Sequence, residues 1–165
     1  MDKEEKKEFW EVLDEVVRSI PSTEKLLVGG DFNGYIGSLP RDFEDVHDSF
    51  DFRERNDEGA ALLDFSRAFE LSIANSSFLK KEEHLITFRS SVAKTQIDFL
   101  LLRKGDRTLC KDCEVIPSEN LSTQHRLLVM DLVISKSKKK RSVEARPRIK
   151  WGSLTLASAL EIEEK

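Results

Sequence analysis

Four residues sit in or beside short apolar runs, and their types suit a base or metal ligand, a neutral hydrogen bonder and an aspartate-oriented histidine. Asp31 and Asn33 close the run from Lys25 to Gly34, Asp98 interrupts the apolar stretch Gln96 to Leu102, and His125 precedes the apolar run from Leu127 to Ile134. Asp31 and Asn33, two positions apart, are expected on one side of a strand tip, one as a base or ligand and the other as a neutral hydrogen bonder. Gly29 and Gly30 suit a sharp turn or the close approach of a phosphate. The alternative is a strand-to-helix turn with a capping aspartate. A carboxylate at Asp98 needs a cation or a donor in such apolar company, and His125 can supply it. An aspartate that fixes the tautomer of a histidine is a recurring catalytic device. On their own, Asp98 also reads as a structural hydrogen bonder and His125 as a surface histidine. His47 and His84 carry less.

The elements that must hold these residues can be read from periodicity. Phe9, Leu13, Val16, Val17 and Ile20 recur at helical spacing, so a helix is expected over residues 3–20, ended by Pro21. A strand follows over 25–29, then a long loop over 37–56. Asn56 to Gly59 opens a second helix with Leu62, Leu63, Phe65, Ala68 and Phe69 on its apolar face. Four more strands are expected over 71–74, 84–88, 96–102 and 127–134, with an irregular cysteine-containing segment before the last. Helices first and strands afterwards predict an α+β layered sandwich, not a doubly wound nucleotide fold.

Composition bounds the rest. The 165 residues, 39% hydrophobic with ten phenylalanines, suffice for one core. No apolar stretch is long enough to span a bilayer and the first residues lack a secretory profile, so an intracellular location without membrane contact is expected. Cys110 and Cys113 form a lone C-x-x-C, expected to be two reduced structural thiols. The formal net charge of −4 hides eight basic residues against Glu144 between Lys136 and Lys150, a local +7 that leaves −11 elsewhere. Lys138, Lys139, Lys140 and Arg141 are its densest part. It reads either as a solvated linker over 135–150 or as a nucleic-acid contact or nuclear address. A short tail over 151–165 has helical potential.

Taken together, the motifs resemble the endonuclease/exonuclease/phosphatase superfamily, most closely the endonuclease part of retrotransposon endonuclease-reverse transcriptases, the group often named after craniofacial development protein. The resemblance rests on the run from Val28 to Gly34, on Arg55 and Asn56 through Gly59 to Leu63, Asp64 and Phe65, on Asn75 to Phe78, on Thr95 to Phe99, and on His125. It runs from about residue 9 to 134. It implies a four-layer sandwich that cleaves phosphodiester bonds of DNA with Mg2+ or Mn2+. By this resemblance Asp31 orients or deprotonates the attacking water and Asn33 holds the scissile phosphate. Asp98 orients His125, which stabilises charge on the transition state.

Two departures shape the expectation. The superfamily domain opens with another half that carries an Asn and a Glu on the metal, and nothing before Met1 matches it. The chain therefore reads as a partial domain over 1–134, its activity weak or lost, with an apolar sheet face that calls for a partner chain, loose packing or collapse of the helices. Gln124 also stands where the superfamily usually has an aspartate, and so offers no anionic ligand, which leaves the metal set incomplete. The competing expectation is a non-catalytic remnant that binds nucleic acid or protein through its basic tail.

Overall fold

In the computed structural model, the chain divides into two units, Met1–Ile134 and Ser135–Lys165. The structure describes residues 3–37, 43, 45–46 and 54–134, all within the first. The expectations for His47, for the basic run with Lys138, Lys139, Lys140 and Arg141, and for the 151–165 tail lie outside the described residues.

The described part is an α+β fold. Helix α1 spans Lys3–Ser19 and α2 spans Asp57–Ala68. Strands β1 (Leu27–Asp31), β5 (Asp98–Arg103) and β2 (Leu71–Ile73) form an antiparallel sheet with β5 in the centre and β1 on an edge. The other two sheets are hairpins, β3 (Phe88–Arg89) with β4 (Lys94–Thr95) and β6 (Cys110–Asn120) with β7 (Arg126–Leu132).

Alternation along β5 divides the interior in two. Phe99 and Leu101 join Leu62, Leu63, Phe65 and Val17 in the core under the helices. Leu102, with half-buried Leu100, faces a second core containing Cys110, Cys113, Leu128 and Met130. The described residues thus make three layers, helices, central sheet and β6-β7, and β1 keeps a free edge.

Several expectations change in detail. Helix α1 turns Trp10, Leu13, Val17 and Ile20 inward, while Phe9, Val12 and Val16 are 40%, 55% and 52% exposed. Trp10 decides the rotation, because it stacks on Phe32 with centroids 6.0 Å apart and leans on Phe65 at 5.4 Å. The 84–88 stretch opens as a 3-10 turn over Glu82–His84 and enters a strand only at Phe88. The cysteine segment is β6, the longest strand among the described residues. A register shift between Cys110 and Asp112 lets both cysteines face the core, and another between Ile116 and Asn120 accommodates Pro117. Both thiols are free and buried, and burial pushes the Cys113 thiol up to about 12, as structural cysteines require.

Candidate active site

The site forms where the edge strand meets the centre of its sheet. β1 runs on through Gly29 and Gly30 and ends at Asp31, directly opposite Asp98 in the antiparallel register. The glycines are therefore strand residues and do not form the expected turn. A Cβ on Gly29 would come within 2.6 Å of Leu100 Cδ2, so its smoothness lets Leu100 pass. The turn comes later, at Asn33, which has a left-handed φ of 51° and whose backbone N–H donates to Asp31 Oδ1 at 2.9 Å. Asparagine tolerates that conformation better than most residues. Asn33 thus sits on a turn past the strand end, not on a shared strand face with Asp31.

The following segment is pinned to α2. Asn56 caps the helix, its Oδ1 accepting from Gly59 N at 2.9 Å, and the same oxygen accepts from Tyr35 N at 2.8 Å. Gly59 is required by the contact, since a Cβ there would lie 1.8 Å from Tyr35 O. One asparagine and one glycine thereby set both the start of the helix and the path of the loop that leaves Asp31.

Asp98 is fixed through its backbone. Buried Thr87 accepts from Ile97 N at 3.0 Å and from Asp98 N at 3.1 Å through its hydroxyl. Buried Asn75 donates from its amide to Asp98 O and accepts from Leu100 N, each at 3.1 Å. Asn75 belongs to the sequence motif, yet neither it nor Thr87 stood out as a site residue. The available signal was a polar residue inside an apolar context, as Thr87 is between Ile86 and Phe88.

His125 arrives from the far side. It bridges to Phe88 as an isolated antiparallel pair, and its ring meets the Phe88 ring edge-on at 5.1 Å. Its Nδ1 lies 3.1 Å and 3.3 Å from the two oxygens of Asp98. With the Nδ1 proton on that bond, Nε2 is the free nitrogen, and it stands 4.0 Å from Asp31 Oδ2. That gap is too long for a direct hydrogen bond, so a group that contacts both atoms sits beside the line joining them. The side chains of Asp31, Asp98 and His125 are 34%, 22% and 29% exposed, so all three are partly open to solvent.

The three sequence-predicted ionisable residues are therefore together, with Asn33 beside them. Gln124 is exposed, its backbone carbonyl accepting from Arg89 N at 2.8 Å. Asp31, Asp98 and His125 offer ligand atoms that all lie within 4.8 Å of one another. Two carboxylates, the one on Asp98 shared with Nδ1, and one imidazole nitrogen make a sparse oxygen set for Mg2+, whose remaining positions water and a substrate phosphate would fill.

No protein-family model matches the chain. Among curated proteins there is a similarity. The chain is similar to craniofacial development protein 2. It is 27% identical to the protein of Tragulus javanicus over 123 residues, 73% of this chain and 21% of that protein. It is 25% identical to the protein of Bos taurus, again over 123 residues, 73% of this chain and 20% of the relative. The chain spans about a fifth of the length of these curated relatives.

Proposed function

We propose that this domain is a phosphodiesterase of the endonuclease/exonuclease/phosphatase type, derived from a retroelement endonuclease, and that it nicks DNA slowly. The observation that carries the reading is the placement of His125, oriented by Asp98 through Nδ1, with Nε2 across a 4.0 Å gap from Asp31. In this reading Asp31 takes the proton from a water that attacks phosphorus. His125 sits opposite, where its imidazolium form donates from Nε2 to the phosphoryl oxygens as charge gathers on them. Asp98 holds the ring with Nε2 toward the substrate and stabilises the imidazolium, and Asn33 contacts the phosphate. Loss of a positioned acid or base removes on the order of a hundredfold to ten-thousandfold of rate.

Mg2+ or Mn2+ is the ion implied by the resemblance. The shortage of oxygen donors among the described residues supports slow turnover, or ligands from beyond them, including a partner chain laid on the free edge of β1. The reading predicts plasmid relaxation in Mg2+ or Mn2+ that disappears in Asp31→Ala and His125→Ala. Nicking that persists unchanged in both variants would eliminate it.

The local +7 over 136–150 favours a second reading, a non-catalytic module that contacts nucleic acid through Lys138, Lys139, Lys140 and Arg141, in the nucleus if the run is an import signal. DNA binding that survives both point variants and is lost on deleting residues 136–150, with no nicking in any form, would favour this module.

A further inference from the structure

Beside the strand tip, between α1 and the start of α2, lies a cavity of about 340 Å3 that Asp31 and Asn33 also line. Its volume falls at the lower end of small-ligand sites. One side is aromatic, formed by Phe9, Trp10 and Phe32. Those rings are mutually braced, with Trp10 on Phe32 at 6.0 Å and Phe9 against Trp10 at 5.3 Å. Phe9 remains 40% exposed, so part of its ring is open to a ligand. The other side carries Lys6 and Glu58, which are paired with each other. The Lys6 ammonium holds the Glu58 carboxyl below the usual carboxylate range, so a donor and an anionic acceptor stand together above the rings.

A flat ring with hydrogen-bonding edges matches this combination of an aromatic wall and a donor-acceptor pair. A simple anion would meet two carboxylates, and an aliphatic chain would leave the Lys6–Glu58 pair unused. We infer that the cavity receives one unstacked nucleobase next to the scissile phosphate, with Phe9 as the stacking platform and Lys6 and Glu58 at the base edge. The assignment rests on the phosphodiesterase reading for its neighbouring phosphate. It also names the substrate class. A base inside an intact duplex must first be unstacked and unpaired, which costs free energy, so the preferred DNA has an unpaired nucleotide beside the cut, as in single strands, gaps and bulges.

Trp10 provides the readout. The chain has two tryptophans, and Trp151→Phe in the full chain leaves Trp10 as the sole reporter. Titration with a short single-stranded oligonucleotide should quench Trp10 saturably, with the same sequence as a blunt duplex at least about tenfold weaker. Phe9→Ala should weaken single-strand binding on the order of tenfold. Val12→Ala, on the same exposed helix side but outside the cavity, should bind as the parent does, and thermal melts establish that both variants are folded. Absence of quenching, equal affinity for single strand and duplex, or parental affinity in Phe9→Ala would each overturn the assignment. A chain that quenches and never nicks would defeat the phosphodiesterase reading and leave the pocket. A chain that nicks without quenching would defeat the pocket alone.

Discussion

Replacing Thr87 by Val should destabilise the domain by about 2 to 4 kcal/mol while barely changing its shape. The Thr87 hydroxyl accepts from Ile97 N at 3.0 Å and Asp98 N at 3.1 Å, and Thr87 is fully buried. Valine fills the same space and leaves both amides without an acceptor. A buried donor left unpaired costs roughly 1 to 3 kcal/mol, so two such donors, partly relaxed, give the stated range. That is a large share of the roughly 5 to 15 kcal/mol that stabilises a typical domain. At roughly 3 °C per kcal/mol for a domain of this size, the melt should fall by about 6 to 12 °C. Urea unfolding followed by far-UV circular dichroism measures the loss, and an unchanged denaturant slope would show that the unfolded state is not the cause. Thr87→Ser keeps the acceptor and should lose no more than about 1.5 kcal/mol. A Thr87→Val melt within about 2 °C of the parent would refute the reasoning, because it would mean that Asp98 is not anchored through this hydroxyl.

Three further outcomes follow from the packing and the ion pairs. Gly59→Ala should prevent stable folding or displace the Tyr35 segment, since its Cβ would meet Tyr35 O at 1.8 Å, whereas Gly29→Ala should cost far less because its 2.6 Å neighbour, Leu100 Cδ2, is a movable side-chain tip. Comparative melts of the two variants check the order. Lys80, hydrogen-bonded at 2.7 Å, holds the Asp112 carboxyl below its ordinary 3.8, so the pair's stabilisation is present above that value and is lost as pH falls through the lower folded value. Lys80→Met should flatten this acid limb of a pH-resolved melt, and an identical limb in parent and variant would contradict the pairing. Cys110 and Cys113 should resist a thiol reagent at pH 8 until denaturant is added, because burial raises both thiols, Cys113 to about 12.

Much of the site was legible because its residues violate local expectation. Asp98 is a carboxylate within an apolar strand, and Asp31 and Asn33 end another, so the sequence marks them before any contact is known. The register that sets Asp31 opposite Asp98 was not legible, nor was the bridge from Phe88 to His125, since both depend on pairings between distant segments. Helix α2 read well because Asn56, the acidic first turn and the apolar spacing agree. Helix α1 read correctly in extent, but its rotation did not, because Phe9 and Trp10 are adjacent and either ring extends a helical stripe. Contact with Phe32 and Phe65 chose Trp10. β6 escaped because Lys111, Asp112, Glu114 and Pro117 obscure a period of two that the bulge has already shifted.

A double-variant cycle on nicking tests whether Asp98 acts through His125 on a group held against Asp31. Rates would be measured for the parent, Asp98→Asn, His125→Ala and the combined variant under one Mg2+ or Mn2+ condition. Each single change should slow nicking, and the combined variant should be no slower than His125→Ala alone, because removing the ring leaves Asp98 nothing to orient. Losses that multiply, or an Asp98→Asn variant with full parental rate, would contradict it.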